Sequence, residues 1–263
     1  MISYVKVRYE NHARGRIAYV TIENERKLNS LSSAVMNQFV DLFRGLSADL
    51  ALRAVVLSGA GDKAFIGGAN IDEMAGIDGP DQARVFIEKV HACCRAIRQT
   101  PAPVIAAVNG WCLGAGLEVA AACDMRIAAD TATFGMPEVR LGIPSVVEAA
   151  LLPYLIGWGR TRRILMTGET FGADRALAWG LVEDVCPHDT LYAAVEDLLD
   201  ELLAAEPRAV QLQKALILQW EELSPRAAIE AGVEAFEDAW TTDEPMTAMA
   251  RYLSERKAAK ARS

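Results

Sequence analysis

The chain has 263 residues and a formal net charge of −8, with 52% hydrophobic and 24% charged residues. That length buries one large core or two small ones, and the balance is that of a globular protein in water. The acidic balance argues against nucleic acid as the main partner, although local basic residues can still hold an anion. No apolar run is long enough to span a bilayer. The N-terminal stretch has neither a signal-peptide apolar region nor the make-up of a transit peptide. The expectation is a cytoplasmic protein without membrane attachment. Five cysteines, Cys93, Cys94, Cys112, Cys123 and Cys186, are odd in number and include no CxxC pair, which predicts free thiols in a reducing compartment. His12, His91 and His188 are scattered with no metal-ligand spacing, so no metal is expected. No GxSxG elbow supports a serine hydrolase.

Val5, Val7 and Tyr9 alternate with polar residues, and residues 17–22 alternate again, which predicts an antiparallel pair joined through residues 11–15. Residues 25–31 form a polar loop. Ser32 or Ser33 caps a helix reaching about residue 50, with Met36, Phe39, Val40, Phe43 and Leu46 on one face. Residues 53–58 read as a buried strand, and a glycine-bearing segment, 59–68, leads to a short helix. Residues 81–100 read as an amphipathic helix carrying Val85, Phe86, Val90, Cys93, Cys94 and Ile97, ended by Pro101 and Pro103.

The chain is organised around residues 103–138, PVIAAVNGWCLGAGLEVAAACDMRIAADTATFGMPE. A β-branched run, 104–108, reads as a buried strand closed by the turn Asn109-Gly110. The loop Gly114-Ala115-Gly116 precedes a short apolar helix, 117–123, and a strand, 125–128. Glu118 is the only charge in LGAGLEVAAAC, and Glu138 follows the stiff Pro137. Apolar surroundings raise a carboxyl pKa, whereas the first turn of a helix favours the ionised form; the residues alone leave the winner open. A helix N-terminus aimed at a developing oxyanion, with a carboxylate one turn later, makes an acid/base site. The competing reading is a glutamate reaching water through a gap in a packed helix; Glu138 and the glycine loop favour the site. Asp124, at the start of the next strand, reads as structural.

Residues 159–167 and 173–179 read as two helices and 181–185 as a short strand. From residue 191 onwards the pattern is helical, in segments 191–205, 209–223, 226–241 and 245–260, punctuated by Pro207 and Ser224-Pro225. The expected division is a mixed α/β core, 1–200, holding the site, and a helical region, 201–263. The basic stretch 256–262 reads as a solvated tail or as a phosphate contact.

AFIGGANIDEM (residues 64–74), PVIAAVNGWCLGAGLEVAAACDMRIA (103–128) and FGMPEVRLGIP (134–144) resemble the enoyl-CoA hydratase/isomerase, or crotonase, superfamily. TGETFGADRALAWGLV (167–182) and the KLNSL segment near the N-terminus extend the resemblance, in family order, over nearly the whole chain. The resemblance implies an α/β fold, a crotonase-like spiral of ββα units with a C-terminal helical region. It implies Glu118 and Glu138 as catalytic carboxylates and the backbone N–H groups of Ala69 and Ala115 as an oxyanion hole. Lys27, Leu28, Gly68, Ala69, Asn70, Ile71, Asp72 and Gly114 would contact the substrate or its coenzyme A. No separate cofactor is implied, because coenzyme A is part of the substrate. Family members form trimers, often paired into hexamers, through their C-terminal helices.

Departures from the family pattern are visible too. Arg26 and Lys27 read equally as phosphate contacts or as solvated charges. Asn70 replaces the usual aspartate, and Asp72 stands where a basic residue is common, which argues against phosphate contact there. Ala115 stands where glycine is commoner, a change that keeps the N–H. After Pro144 the usual glycine-rich segment is replaced by Ser145-Val146-Val147-Glu148-Ala149-Ala150. Glu148 reads as a helix-surface or structural residue rather than a third catalytic group.

The expected function is reversible hydration of 2-enoyl-CoA thioesters to 3-hydroxyacyl-CoA. The alternative within the superfamily is an isomerase or another acyl-CoA lyase, decarboxylase or thioesterase. A nucleotide-dependent oxidoreductase is remoter: Gly114-x-Gly116 follows a strand, but Val119 occupies the third glycine position. A non-catalytic coenzyme A-binding scaffold would not need both carboxylates.

Overall fold

The computed structural model describes residues 4–260, so the end of the basic stretch 256–262 lies outside the described residues. The chain divides into two compact units between Asp200 and Glu201.

In the first unit β1 (Val5–His12) and β2 (Gly15–Ile22) form the expected antiparallel pair. Helix α1 (Ser33–Ser47) starts on the Ser32 side chain, which accepts a hydrogen bond from the Val35 N–H. It ends three residues before the expected limit. Its buried stripe is Val35, Met36, Phe39, Phe43 and Leu46, and the rings of Phe39 and Phe43 stack at 4.3 Å. Burial of each large side chain contributes roughly 1.5–3 kcal/mol.

The chain then repeats one unit. β3 (Leu52–Gly59), β4 (Ala64–Ile66), α2 (Ile71–Met74) and α3 (Pro80–Gln99) form the first turn. β5 (Val104–Val108), β6 (Trp111–Leu113) and α4 (Ala115–Ala122) form the second. β7 (Met125–Ala129) and β8 (Thr133–Gly135) open the third, which continues through 3₁₀ turns at Pro137–Leu141 and Val147–Leu151 into α5 (Leu152–Thr167). In every turn the first strand joins a six-stranded sheet, β1-β2-β3-β5-β7-β10, and the second joins a four-stranded sheet, β4-β6-β8-β9. This is the ββα spiral. β5, the run VIAAV, is buried at every position, as a parallel strand covered on both faces must be.

The corners between the two sheets are held by buried amides. The Asn109 amide donates to the carbonyls of Gly59 (2.9 Å) and Gly61 (2.6 Å), tying one turn of the spiral to the one before. Asn29 does the same for Ala60 and Ala64. Asp124 accepts from the Val104 N–H at 2.7 Å, the structural role expected of it.

β9 (Thr170–Gly172), α6 (Ala173–Trp179) and β10 (Asp184–Cys186) complete the sheets. Two boundaries differ from expectation. α5 begins at Leu152 rather than residue 159, because two helical pieces abut across Gly157, whose φ is +76°. The strand expected at 181–185 is β10: Leu181 and Val182 are buried but precede the ladder.

α7 (Leu191–Ala204) leads into the second unit, which holds α8 (Pro207–Trp220), α9 (Pro225–Ala239) and α10 (Glu244–Lys260). Within that unit the Glu244 carboxylate accepts from the N–H groups of Arg208 and Ala209, closing the N-terminus of α8. Trp220 Nε1 donates to the Ala228 carbonyl at 2.9 Å. Among the described residues no helix is long and apolar enough to cross a membrane.

Candidate active site

The site is built where three turns of the spiral meet. Gly114 precedes α4 with φ +50°, and its carbonyl accepts from the N–H groups of Leu117 and Glu118. Its N–H donates to the Gly135 carbonyl at 2.9 Å. Glycine is needed here twice over: the φ is left-handed, and a Cβ would collide with Glu138 Oε1. The Ala115 N–H belongs to the first turn of α4, where helix N–H groups have no partner inside the helix.

The second N–H comes from the previous turn. Leu31 and Ala69 form a parallel bridge, in which the Leu31 N–H donates to Gly68 and the Leu31 carbonyl accepts from Asn70. That pattern leaves the N–H of Ala69 itself on the other side. Gly68, Ala69, Ile71, Gly114 and Ala115 all line one cavity together with Glu118 and Glu138. Its remaining wall is apolar: Met74, Phe86, Ile87 and Val90 on one side, Leu141, Ile143, Pro144 and Val146 on the other.

Glu118 is 3% exposed, inside a helix buried along its whole length. Its Oε1 accepts from the Ala149 N–H at 3.3 Å. Burial first, then repulsion from Glu138, pushes its carboxyl up to about 8; the Ala149 N–H pulls the other way, and Glu148 adds a smaller push. Burial is the largest of these causes. Glu138 sits in the 3₁₀ turn after Pro137, half-buried, and its Oε2 accepts from Ser145 Oγ at 2.8 Å.

Lys27, Leu28, Asn70 and Asp72 do not line this cavity. Lys27 Nζ pairs with Asp72 Oδ2 at 2.7 Å on the surface, and this contact holds the Asp72 carboxyl below its usual value. Leu28 has φ +52°, and its carbonyl accepts from the Gly67 N–H. The Asn70 side chain caps α2 by accepting from the Glu73 N–H. These four shape the loop at the cavity's edge.

Sequence reasoning missed Ser145, the Ala149 N–H and the apolar residues of the wall. The spacing of Phe86 and Val90, four apart on α3, placed them on a buried face without showing that the face borders a cavity. Of the two readings, helix-surface or structural, the structure contradicts the first for Glu148. It is 7% exposed, on the 3₁₀ turn Val147–Leu151, not on a helix surface. Among the described residues, no group of three or more His, Cys, Asp or Glu side chains could hold a metal ion.

A two-sheet ββα spiral that brings paired carboxylates and a helix N-terminus to one apolar cavity has the framework of the crotonase fold. The family model described as Enoyl-CoA hydratase/isomerase matches residues 12–260. The chain is 34% identical over 244 residues to a short-chain-enoyl-CoA hydratase of Clostridium acetobutylicum, covering 92% of this chain and 93% of that protein. It is 33% identical over 254 residues to a crotonyl-CoA hydratase of Syntrophomonas wolfei, covering 95% and 97%. The crystal structure of an enoyl-CoA hydratase from Bacillus anthracis superposes with a TM-score of 0.90 at 30% identity, covering 96% and 97% of the two chains. The chain belongs to the enoyl-CoA hydratase/isomerase family.

Proposed function

We propose that the protein is an enzyme that hydrates 2-enoyl-CoA thioesters, reversibly, to 3-hydroxyacyl-CoA. The observation that carries this reading is the unequal pair of carboxylates in one cavity, Glu118 buried with its carboxyl pushed up to about 8, Glu138 half-buried and bonded to a hydroxyl. Hydration needs one group to take a proton from water and another to give one to carbon. Glu138 takes the proton as the water oxygen bonds to C3. Glu118 gives its proton to C2. Between these events the thioester oxygen carries negative charge, and the N–H groups of Ala69 and Ala115 receive it. Glu138 then holds the water's proton and Glu118 is ionised; passing that proton from Glu138 to Glu118 resets the pair.

The apolar wall receives the acyl chain, and the edge around Lys27, Leu28, Asn70, Ile71 and Asp72 lies along the coenzyme A moiety. A phosphate at Lys27 has to compete with Asp72. Coenzyme A enters as part of the substrate, with no separate cofactor. The reading is tested by incubating the protein with a panel of enoyl-CoA thioesters and weighing the products. A gain of one water is expected. An unchanged mass with a moved double bond makes the protein an isomerase, and no turnover with retained coenzyme A binding makes it a scaffold.

Self-association as a homotrimer or homohexamer through residues 201–263 belongs to the same proposal. It is supported by Ile229, Val233 and Phe236 on α9 and Trp240 at its C-terminal cap, which follow one another at helical spacing and are 45–71% exposed in the single chain. Sedimentation at micromolar concentration should give a trimer or hexamer, and a monomer would remove this part.

A further inference from the structure

Phe86 borders two hollows. One is the acyl cavity, about 100 Å³, where Phe86 continues the apolar wall with Met74, Ile87 and Val90. The other is a hollow of about 430 Å³, lined by Ser33, Glu73, Ile77, Val85 and Lys89 among others. Phe86 is the one residue that the two linings share. It is the first member of the buried stripe of α3, four residues before Val90, and is 7% exposed. The sizes matter. A cavity of roughly 150 Å³ takes a six-carbon ring, so one of about 100 Å³ has room for about four carbons, including those that react. The second hollow is framed without the ring. Lys89 Nζ donates to Ser33 Oγ at 2.7 Å, and the Ser33 N–H donates to Glu73 Oε2 at 2.8 Å. Ser33 thus ties both α3 and α2 to the start of α1. Ile77 and Val85 give the hollow an apolar side, and it meets solvent past Asp81 and Gln82, both exposed.

We propose that Phe86 is a specificity-determining residue: it ends the acyl cavity, limits the substrate to enoyl chains of about four carbons, and closes off a second hollow that a longer chain would otherwise enter. The proposal rests on the hydratase reading, in which the acyl chain lies along this wall. Interiors are close-packed, so a longer chain has to displace the ring or the helix that carries it. A methylene for which an apolar pocket has no room is discriminated against by about ten-fold or more. Removing the ring changes the count. Because Ser33 pins the frame on the far side, the space left by the ring stays open instead of collapsing, and the two hollows become one. The hollow then offers Ile77 and Val85 to the end of the chain.

The test reads chain-length preference in two ways. By kcat/KM, the parent should hydrate an eight-carbon 2-enoyl-CoA less well than the four-carbon one, by about ten-fold or more. In Phe86→Ala the ratio of eight-carbon to four-carbon kcat/KM should rise by about ten-fold or more. Independently of turnover, calorimetry with the saturated butyryl-CoA and octanoyl-CoA should show the same change in the ratio of their Kd values. If Phe86→Ala does not fold, Phe86→Val keeps more of the packing and carries the test, with a six-carbon chain as the longer one. A general loosening of the core weakens both chains alike; an unchanged ratio in the variant would therefore overturn the proposal. A parent that accepts both lengths equally would overturn it too. A protein that hydrates neither chain while the Kd ratio still changes would overturn the hydratase reading and leave Phe86 in its role.

Discussion

The two sides of the cavity are made differently. The inner side is helix α4, eight residues all buried, in the turn of the spiral that opens with β5, a strand with no exposed position. The outer side is the segment from Pro137 to Val146, a 3₁₀ turn and a loop with Leu141, Ile143 and Val146 39–53% exposed. Each contributes one glutamate. The inner one loses water and holds its proton to about pH 8; the outer one keeps contact with solvent and with Ser145. In the proposed hydration one residue type would serve as acid and as base because the two environments differ. The lesson is that the packing of α4, not the identity of the side chain, sets the two carboxylates apart.

The largest effect that breaks the comparison is removal of either carboxylate. Glu118→Gln and Glu138→Gln should each reduce hydration by roughly 10²–10⁴-fold, while coenzyme A binding changes little. The double variant should lose less than the product of the two, because both act as one unit on the same substrate. An enzyme in which one substitution cripples and the other is mild is an isomerase or decarboxylase instead.

Next is the oxyanion. Ala69→Pro removes an N–H without touching either glutamate and should raise the barrier by about 2.7–4 kcal/mol with the fold intact by circular dichroism. Near-normal turnover of a folded Ala69→Pro protein would take Ala69 out of the site. Gly114→Ala presses a methyl onto Glu138 Oε1 and also strains the left-handed backbone that starts α4. A displacement near 1 Å lowers kcat by about 10²-fold. Smaller still is Ser145→Ala, which frees Glu138 from one hydrogen bond; about 1 kcal/mol, or five-fold in kcat, is expected from steady-state rates.

The inner side also carries a stability cost. Between the ordinary carboxyl value of 4.5 and about 8, folded Glu118 keeps a proton that the unfolded chain has lost. Stability from this group is therefore full below pH 4.5 and falls as pH rises to about 8. Glu118→Gln should accordingly stabilise the fold at pH 8, by up to about 4 kcal/mol, and leave it unchanged at pH 4. Urea titrations at the two pH values read the difference.

The inner side was legible in the sequence and the outer side was not. The run 104–108, the turn Asn109-Gly110 and the lone charge in an apolar helix carry their structure in local pattern, and the structure reproduces them. The three-residue strands β4, β6, β8 and β9 are too short for any period to appear, so the second sheet was invisible to periodicity and came only through family resemblance. The residues 137–151 follow no period either. Their shape comes from Pro137, from Gly142 at φ +80° and from the strained Val147. Sequence placed Glu138 beside a proline but gave no sign of Ser145, and it left Glu148 between a helix surface and a structural role.

The most direct measurement is the pH dependence of hydration, followed by loss of the conjugated thioester absorbance. With Glu118 as the acid, the rate should be level around neutrality and fall with a single ionisation centred near pH 8. A rate that stays constant to pH 10, or a Glu118→Gln protein that hydrates at the parental rate, would contradict the assignment of unequal roles to the two carboxylates.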